Sequence, residues 1–174
     1  MPPLPLRTKR KVFVSYHHGN DQWYADEFRR FFCEVYDTFT DNSLERSLDS
    51  DNNVYVRWSI KQNNIRGSSC TIVLCGPQTR WRKYVDWEIK TTLALRHGLL
   101  GIWLPNNPLA EGGVHKPDRL QDNIDSGYAE FIAWNACTVP VLQQAIERSV
   151  NRSALLIKND RPLRQRNGGI SLAI

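Results

Sequence analysis

The sequence predicts an α/β fold of three layers, a central parallel sheet of about five strands covered by helices on both faces. Three observations predict it. The apolar runs KVFVSY (11–16), CTIVLCG (70–76) and LLGIWL (99–104) have strand length and little polar alternation, as strands buried on both faces do. Stretches with helical spacing of apolar residues separate these runs, and that alternation calls for parallel strands joined by helical crossovers. The chain has 174 residues, 41% apolar, with six each of Trp, Tyr and Phe. That is enough for one domain burying roughly two-thirds of its unfolded surface. Ligands in such folds bind beyond the carboxyl ends of the strands, so the residues following each strand are the candidates for a site.

The elements follow in order. Pro2, Pro3 and Pro5 precede the basic run RTKRK, so residues 1–10 read as a flexible basic segment and 11–152 as the folded domain. KVFVSY is the first strand and HHGND the loop after it. From Asp21 the period becomes helical, with Trp23, Ala25, Phe28, Phe31 and Phe32 on the helix and Asn20 or Asp21 as its cap. VYDTFT (35–40) supplies a second strand and DNSLERSLDSDNN (41–53) an exposed polar insert. A helix across VRWSIKQNNIRG ends at Gly67. CTIVLCG is the clearest strand, stopped by Pro77. A helix from about Trp81 to Arg96 ends at His97-Gly98, and LLGIWL (99–104) is closed by Pro105. Residues 106–127 show low periodicity and, by their length, suit a binding or lid loop. AEFIAW (129–134) is the last strand. TVPVLQQAIERSVNR (138–152) is a helix with Val141, Leu142, Ala145, Ile146 and Val150 as its stripe, and 153–174 reads as a basic, partly disordered tail.

Composition removes several function classes. The net charge of +5 is concentrated near the two ends, RTKRK and KNDRPLRQR, which carry no interleaved stacking aromatics, so nucleic acid is not the expected partner. Cys33, Cys70, Cys75 and Cys137 have no C-x-x-C spacing, and Cys70 and Cys75 read as small core residues. No apolar run approaches the roughly 20 residues that cross a bilayer, and the N-terminal charges follow the short apolar part, the reverse of a signal peptide. A reducing, cytoplasmic setting is expected. His17, His18, His97 and His115 lack metal-site spacing, and neither G-x-G-x-x-G nor a P-loop is present. The strands do not end in the aspartate that a phosphotransfer receiver needs. No metal or prosthetic group is called for.

The stretch TRWRKYVDWEIKTTLALRHG (79–98) raises the functional question. On a helical wheel Trp81, Val85, Ile89, Thr92 and Arg96 gather on one side, and Lys83, Asp86, Trp87 and Lys90 on the other. Glu88 falls at the edge of the buried side, one turn from Tyr84, in a helix that follows a strand end. It can face the ligand crevice. It can equally pair with Arg82, Lys83 or Lys90 on the surface, or with an arginine across a helix contact, and the wheel does not choose.

The order and spacing of KVFVSYHHGND, IRGSSCTIVLCGPQT and WRKYVDWEI resembles the TIR-like family, in particular the bacterial branch of antiphage Thoeris systems. Phe13, Ser15, Tyr16 and Asp21 match the first block, Ser69 and Ile72–Leu74 the second, and Tyr84, Val85, Glu88 and Ile89 the third. The resemblance spans about residues 10–150 and implies a flavodoxin-like sheet. It implies an enzyme that takes NAD+ as substrate, releases nicotinamide and makes an ADP-ribose-derived signal, with Glu88 as the catalytic carboxylate. Phe13, Ser15, Tyr16, His17, Asp21, Gly76, Thr79 and Tyr84 are then the candidates for substrate binding. It further implies self-association through TIR–TIR contacts, with Trp87 on the outer side of its helix as a candidate surface. A downstream effector for the product and a phage component as trigger complete the expectation. The contrasting expectation is a non-catalytic scaffold acting through domain–domain association, favoured if Glu88 is closed over.

Overall fold

Five parallel strands form the centre of the computed structural model, which describes residues 9–39 and 62–168. They are β1 (Arg10–Ser15), β2 (Tyr36–Phe39), β3 (Cys70–Cys75), β4 (Gly98–Trp103) and β7 (Glu130–Ala133), in the order β2-β1-β3-β4-β7. All four pairings are parallel, with Val12 beside Cys70 and Cys70 beside Gly98. Each expected strand is present within a residue or two of its sequence bounds. The polar insert 41–53 and the first part of the expected helix lie outside the described residues. That helix, α2, is described over 62–66 and stops at Gly67.

Strand alternation divides the apolar residues between two layers. Val12, Val14, Ile72, Leu74, Leu100 and Ile102 meet α1 (His18–Phe32) and α5 (Val139–Val150), through Ala25, Phe28, Phe32, Leu142, Ala145 and Ile146. On the other face Val73, Cys75 and Leu99 meet α3 (Lys83–Ala94) and α4 (Asp118–Asp125), through Val85, Ile89, Leu93 and Leu120. β4 can approach this second layer only at a glycine, because a Cβ on Gly101 would lie 2.7 Å from Phe131 and 2.9 Å from Leu120. Thr138 caps α5, its hydroxyl facing the Val141 N–H at 3.4 Å. α1 starts earlier than its sequence suggests. His17 precedes it without a side-chain cap, and Asp21, expected as a cap, stands inside the first turn with its carboxylate buried.

Four features depart from the sequence reading. Residues 106–127 are not a bare loop but hold a short hairpin, β5 (Leu109–Ala110) with β6 (Gly113–Val114), and then α4. α4 was hidden because two of its three buried residues, Arg119 and Asn123, are polar. Asp86, assigned by the wheel to the outer side of α3, is buried and paired with Arg119, Nε to Oδ1 at 2.8 Å. Finally, residues 158–168 of the tail run as a strap over α3 and α4. The Arg119 guanidinium donates to the Arg161 and Pro162 carbonyls at 2.8 and 3.1 Å, and the Arg164 N–H donates to Asp86 at 2.8 Å. Asn123 exchanges two bonds with Lys158, and the Gly168 N–H reaches the Trp81 carbonyl. Trp87, expected on an open surface, is half-buried and donates its Nε1–H to the Arg164 carbonyl at 2.9 Å.

Breaking a buried pair leaves an uncompensated charge, which costs about 3–5 kcal/mol. Arg119→Met is therefore expected to lower the unfolding free energy by about that amount, measured by denaturant titration. The double variant Asp86→Leu, Arg119→Met is expected to lose less, because no lone charge remains buried.

Candidate active site

The carboxyl ends of β1, β3 and β4 open at the same end of the sheet, and the candidate residues converge there from both sides. Ser15 is the last residue of β1 and points to the α3 layer, the direction opposite to Val14. Glu88 stands in the second turn of α3 and faces the sheet. The Ser15 hydroxyl donates to Glu88 Oε2, joining strand end to helix. Glu88 is 3% exposed, so its side chain is not a solvated group of the helix surface. Thr92, one turn on, donates its hydroxyl to the Glu88 carbonyl at 2.8 Å and lies 2.6 Å from the Thr71 hydroxyl of β3. The carboxylate is thus held at the carboxyl end of the sheet by a helix that is itself hydrogen-bonded to it.

Asp21 organises the rest. It is fully buried and accepts from Asn106 Nδ2 at 2.8 Å, with the Thr79 hydroxyl at 3.3 Å. Thr79 in turn accepts the Gly76 N–H at 2.9 Å. One carboxylate of α1 therefore ties together the loops that follow β3 and β4. Burial raises its pKa, while the bonds from Asn106 and Thr79 act in the opposite direction. Gly76 is required for this contact, since a Cβ there would lie 2.1 Å from Asp21 Oδ2.

His17 follows Ser15 and Tyr16 at the strand end. Its ring is buried, and Nδ1 has no hydrogen-bond partner among the described residues. Burial, followed by the nearby positive charge of Arg82, lowers its pKa from 6.5 to about 4, so the ring is neutral near pH 7. Arg82 precedes α3, donates to Gln78 Oε1 at 2.6 Å, and has a buried Nε that likewise lacks a partner.

The nine candidates are not all in one place. Ser15, His17, Asp21, Gly76, Thr79 and Glu88 surround the strand ends. Phe13 lies two residues below Ser15 on the same strand face and is 1% exposed. Tyr16 turns into the opposite layer, its hydroxyl donating to Gln22 Oε1 at 3.0 Å. Tyr84 is buried one turn before Glu88, its ring 5.5 Å from that of Trp87 and edge-on to it. Sequence reasoning missed Arg82, Asn106 and Asn107. Asn107 is buried and donates to the Cys75 and His115 carbonyls at 3.0 and 2.9 Å. The available signal was the pair Asn106-Asn107 directly after a buried strand, where polar side chains have loop backbone to satisfy. Among the described residues no group of three or more His, Cys, Asp or Glu is arranged to hold a metal ion, and no helix is long and apolar enough to cross a membrane.

The family described as "Thoeris protein ThsB, TIR-like domain" matches residues 13–108, a stretch that contains the whole arrangement from Ser15 to Asn107. Among solved structures, the chain is similar to the TIR domains of the activated Roq1 resistosome directly recognizing the pathogen effector XopQ. The identity is 14%, the match covers 56% of this chain and 58% of that one, and the TM-score is 0.41. It is also similar to a conserved protein from Enterococcus faecalis V583, at 11% identity over 80% of this chain and 98% of that one, with a TM-score of 0.47. The chain thus spans 58% of the length of the resistosome chain it matches. No curated protein matches it.

Two outcomes test this geometry. Gly76→Ala forces its Cβ into the Asp21 carboxylate and is expected to cost about 1–3 kcal/mol in chemical denaturation. His17 is neutral in both folded and unfolded chains above pH 6.5, so it adds no pH dependence there. Between pH 6.5 and about 4 the unfolded chain takes up a proton that the folded one resists, and stability falls as pH falls. His17→Gln is expected to flatten that acid-side loss in unfolding curves recorded across the window.

Proposed function

We propose that this chain, which belongs to the TIR-like domain family of Thoeris protein ThsB, cleaves NAD+ at the bond between nicotinamide and ribose. The product is an ADP-ribose-derived signal, cyclic in the Thoeris-type reading, made in antiphage defence. The observation that carries the proposal is a single carboxylate, Glu88, held by the Ser15 hydroxyl at the carboxyl end of a parallel sheet. Ligands of open α/β sheets bind at that end.

One carboxylate is chemically sufficient. Nicotinamide in NAD+ is already a cation, so the C1′–N bond can break with its electron pair passing to the ring nitrogen, and no acid need protonate the leaving group. Positive charge then develops on the ribose as an oxocarbenium-like centre. Glu88, placed against the ribose hydroxyls, stabilises that charge. Attack at C1′ by water gives ADP-ribose and a proton. Attack by a nucleophilic atom of the substrate's own adenine closes a ring, again with loss of a proton. Neutral His17 and Arg82 each present a buried nitrogen with no partner among the described residues beside this end of the sheet, where a polar substrate group would satisfy them. The product activates a partner effector, a phage component is the trigger, and copies of the chain associate through TIR–TIR contacts.

A specific observation favours the second reading, a scaffold acting through domain association. Glu88 is 3% exposed, and it lines neither the cavity of about 440 Å³ beside α4 nor the one of about 290 Å³ beside Trp134. Productive binding therefore requires the crevice to open at Ser15 and Glu88. β2 ends at Phe39 at this same end of the sheet, and the chain from 40 to 61 lies outside the described residues.

The two readings separate in one assay. NAD+ consumption, nicotinamide release and product mass are followed together, for concentrated protein and for lysate of phage-challenged cells expressing it. Glu88→Gln is expected to lower turnover by about 10²–10³, the usual cost of removing one transition-state-stabilising group. Specific activity is expected to rise with protein concentration as copies associate. No turnover from folded wild-type protein in either setting would leave the scaffold as the standing reading.

A further inference from the structure

A cavity of about 440 Å³ lies between α3, the start of α4 and the strap, and Glu88 is not among its lining residues. Asp86, which does line it, stands two residues from Glu88 and so about 200° around the helix. Four arginines, Arg80, Arg161, Arg164 and Arg166, face the cavity together with two aspartates, Asp86 and Asp118.

The charges do not cancel. Asp86 is already taken by buried Arg119, Asp118 lies 3.7 Å from Arg164, and Arg161 is paired with Asp122 at 2.9 Å. Arg80 stacks 4.3 Å over the Trp81 ring and meets His115 Nδ1. Neither Arg80 nor Arg166 has a carboxylate partner among the described residues. The wall also includes the beginning of α4, where Pro117 offers no side-chain cap to the first-turn N–H groups. Those groups add positive potential of their own.

We propose that this cavity is a binding site for a small phosphate-bearing anion, a free oligophosphate or the diphosphate of a nucleotide, held chiefly by Arg80 and Arg166. Two arginines without acids match a ligand of at least two negative charges, and the guanidinium fork fits phosphate oxygens in pairs. The volume falls within the roughly 300–1,000 Å³ typical of small-molecule sites. Asp86 and Asp118 repel an anion from their own side and so direct it toward Arg80 and Arg166. Because Arg166 belongs to the strap and Arg80 to the turn Thr79–Trp81 just before α3, a bound anion fastens the strap to the segment that leads into the helix carrying Glu88.

The test is isothermal titration calorimetry of the full chain at low salt, with inorganic pyrophosphate in one arm and ADP in the other. The proteins are wild type, Arg166→Gln, the double variant Arg80→Gln, Arg166→Gln, and Glu88→Gln, each shown to be folded by circular dichroism. The site predicts saturable binding to wild type and to Glu88→Gln alike, roughly tenfold weaker binding to the single variant, and none detectable in the double variant. Thermal unfolding should shift upward with ligand in the same order. Equal affinity for the two probes assigns recognition to the diphosphate alone, and tighter ADP assigns it to a nucleotide. Absence of saturable binding of either probe at millimolar concentration overturns the proposal. So does undiminished binding to the double variant, or loss of binding in Glu88→Gln, which would move the ligand to the crevice. None of these readouts needs NAD+ turnover, so a failed enzyme assay leaves the outcome legible.

Discussion

Helix α3 buries two carboxylates two residues apart, and because burying an unpaired charge costs several kcal/mol, the rest of the domain must supply a partner for each. Asp86 and Glu88 point about 200° apart around the helix, so no single neighbour can serve both. Glu88 takes the Ser15 hydroxyl from the end of β1. Asp86 takes the Arg119 guanidinium from α4 and the Arg164 N–H from the strap. Elements far apart in the chain, residues 10–15, 118–125 and 158–168, are drawn to one helix by this requirement.

The two partners differ in kind. Arg119 is fully buried and has further acceptors in Asn159, Arg161 and Pro162, so the Asp86 side is a closed electrostatic unit that holds α4 and the strap against the helix. Ser15 is a neutral donor on a strand end, and a hydroxyl can exchange one acceptor for another at small net cost. Around the strand end that carries Ser15, burial moves His17 and Asp21 in opposite directions, the imidazole downward and the carboxyl upward. Both shifts favour the uncharged form, as expected where polar groups face a largely water-excluded crevice.

What could be read from the residues follows from which physical signals are local. β1, β3 and β4 were legible because continuous apolar runs bounded by Pro or polar loops have few alternatives, and β2 and β7 followed from the alternation with helices. α5 was legible for its apolar stripe, Val141, Leu142, Ala145, Ile146 and Val150. α4 was not, because Arg119 and Asn123 occupy buried positions and erase the apolar period; their burial makes sense only with Asp86 and Lys158 in place. Asp86 itself was misassigned, since a wheel ranks faces by hydrophobicity and cannot register an arginine arriving 33 residues later. Glu88 was singled out by the spacing it shares with a family, while the wheel left it between surface and crevice. Arg82, Asn106 and Asn107 carried no periodic signal and emerged only from their contacts.

The sequence by itself determined the layer architecture and the parallel sheet, because apolar periodicity and chain alternation are set residue by residue. Tertiary structure alone decided which polar groups meet. It put Ser15 on Glu88, Asp21 on Thr79 and Asn106, and Arg119 on Asp86, and it turned Tyr16 into the opposite layer. Hydrogen bonds and ion pairs depend on distance and direction in space, and separations of 33 to 85 residues along the chain leave no local trace of them.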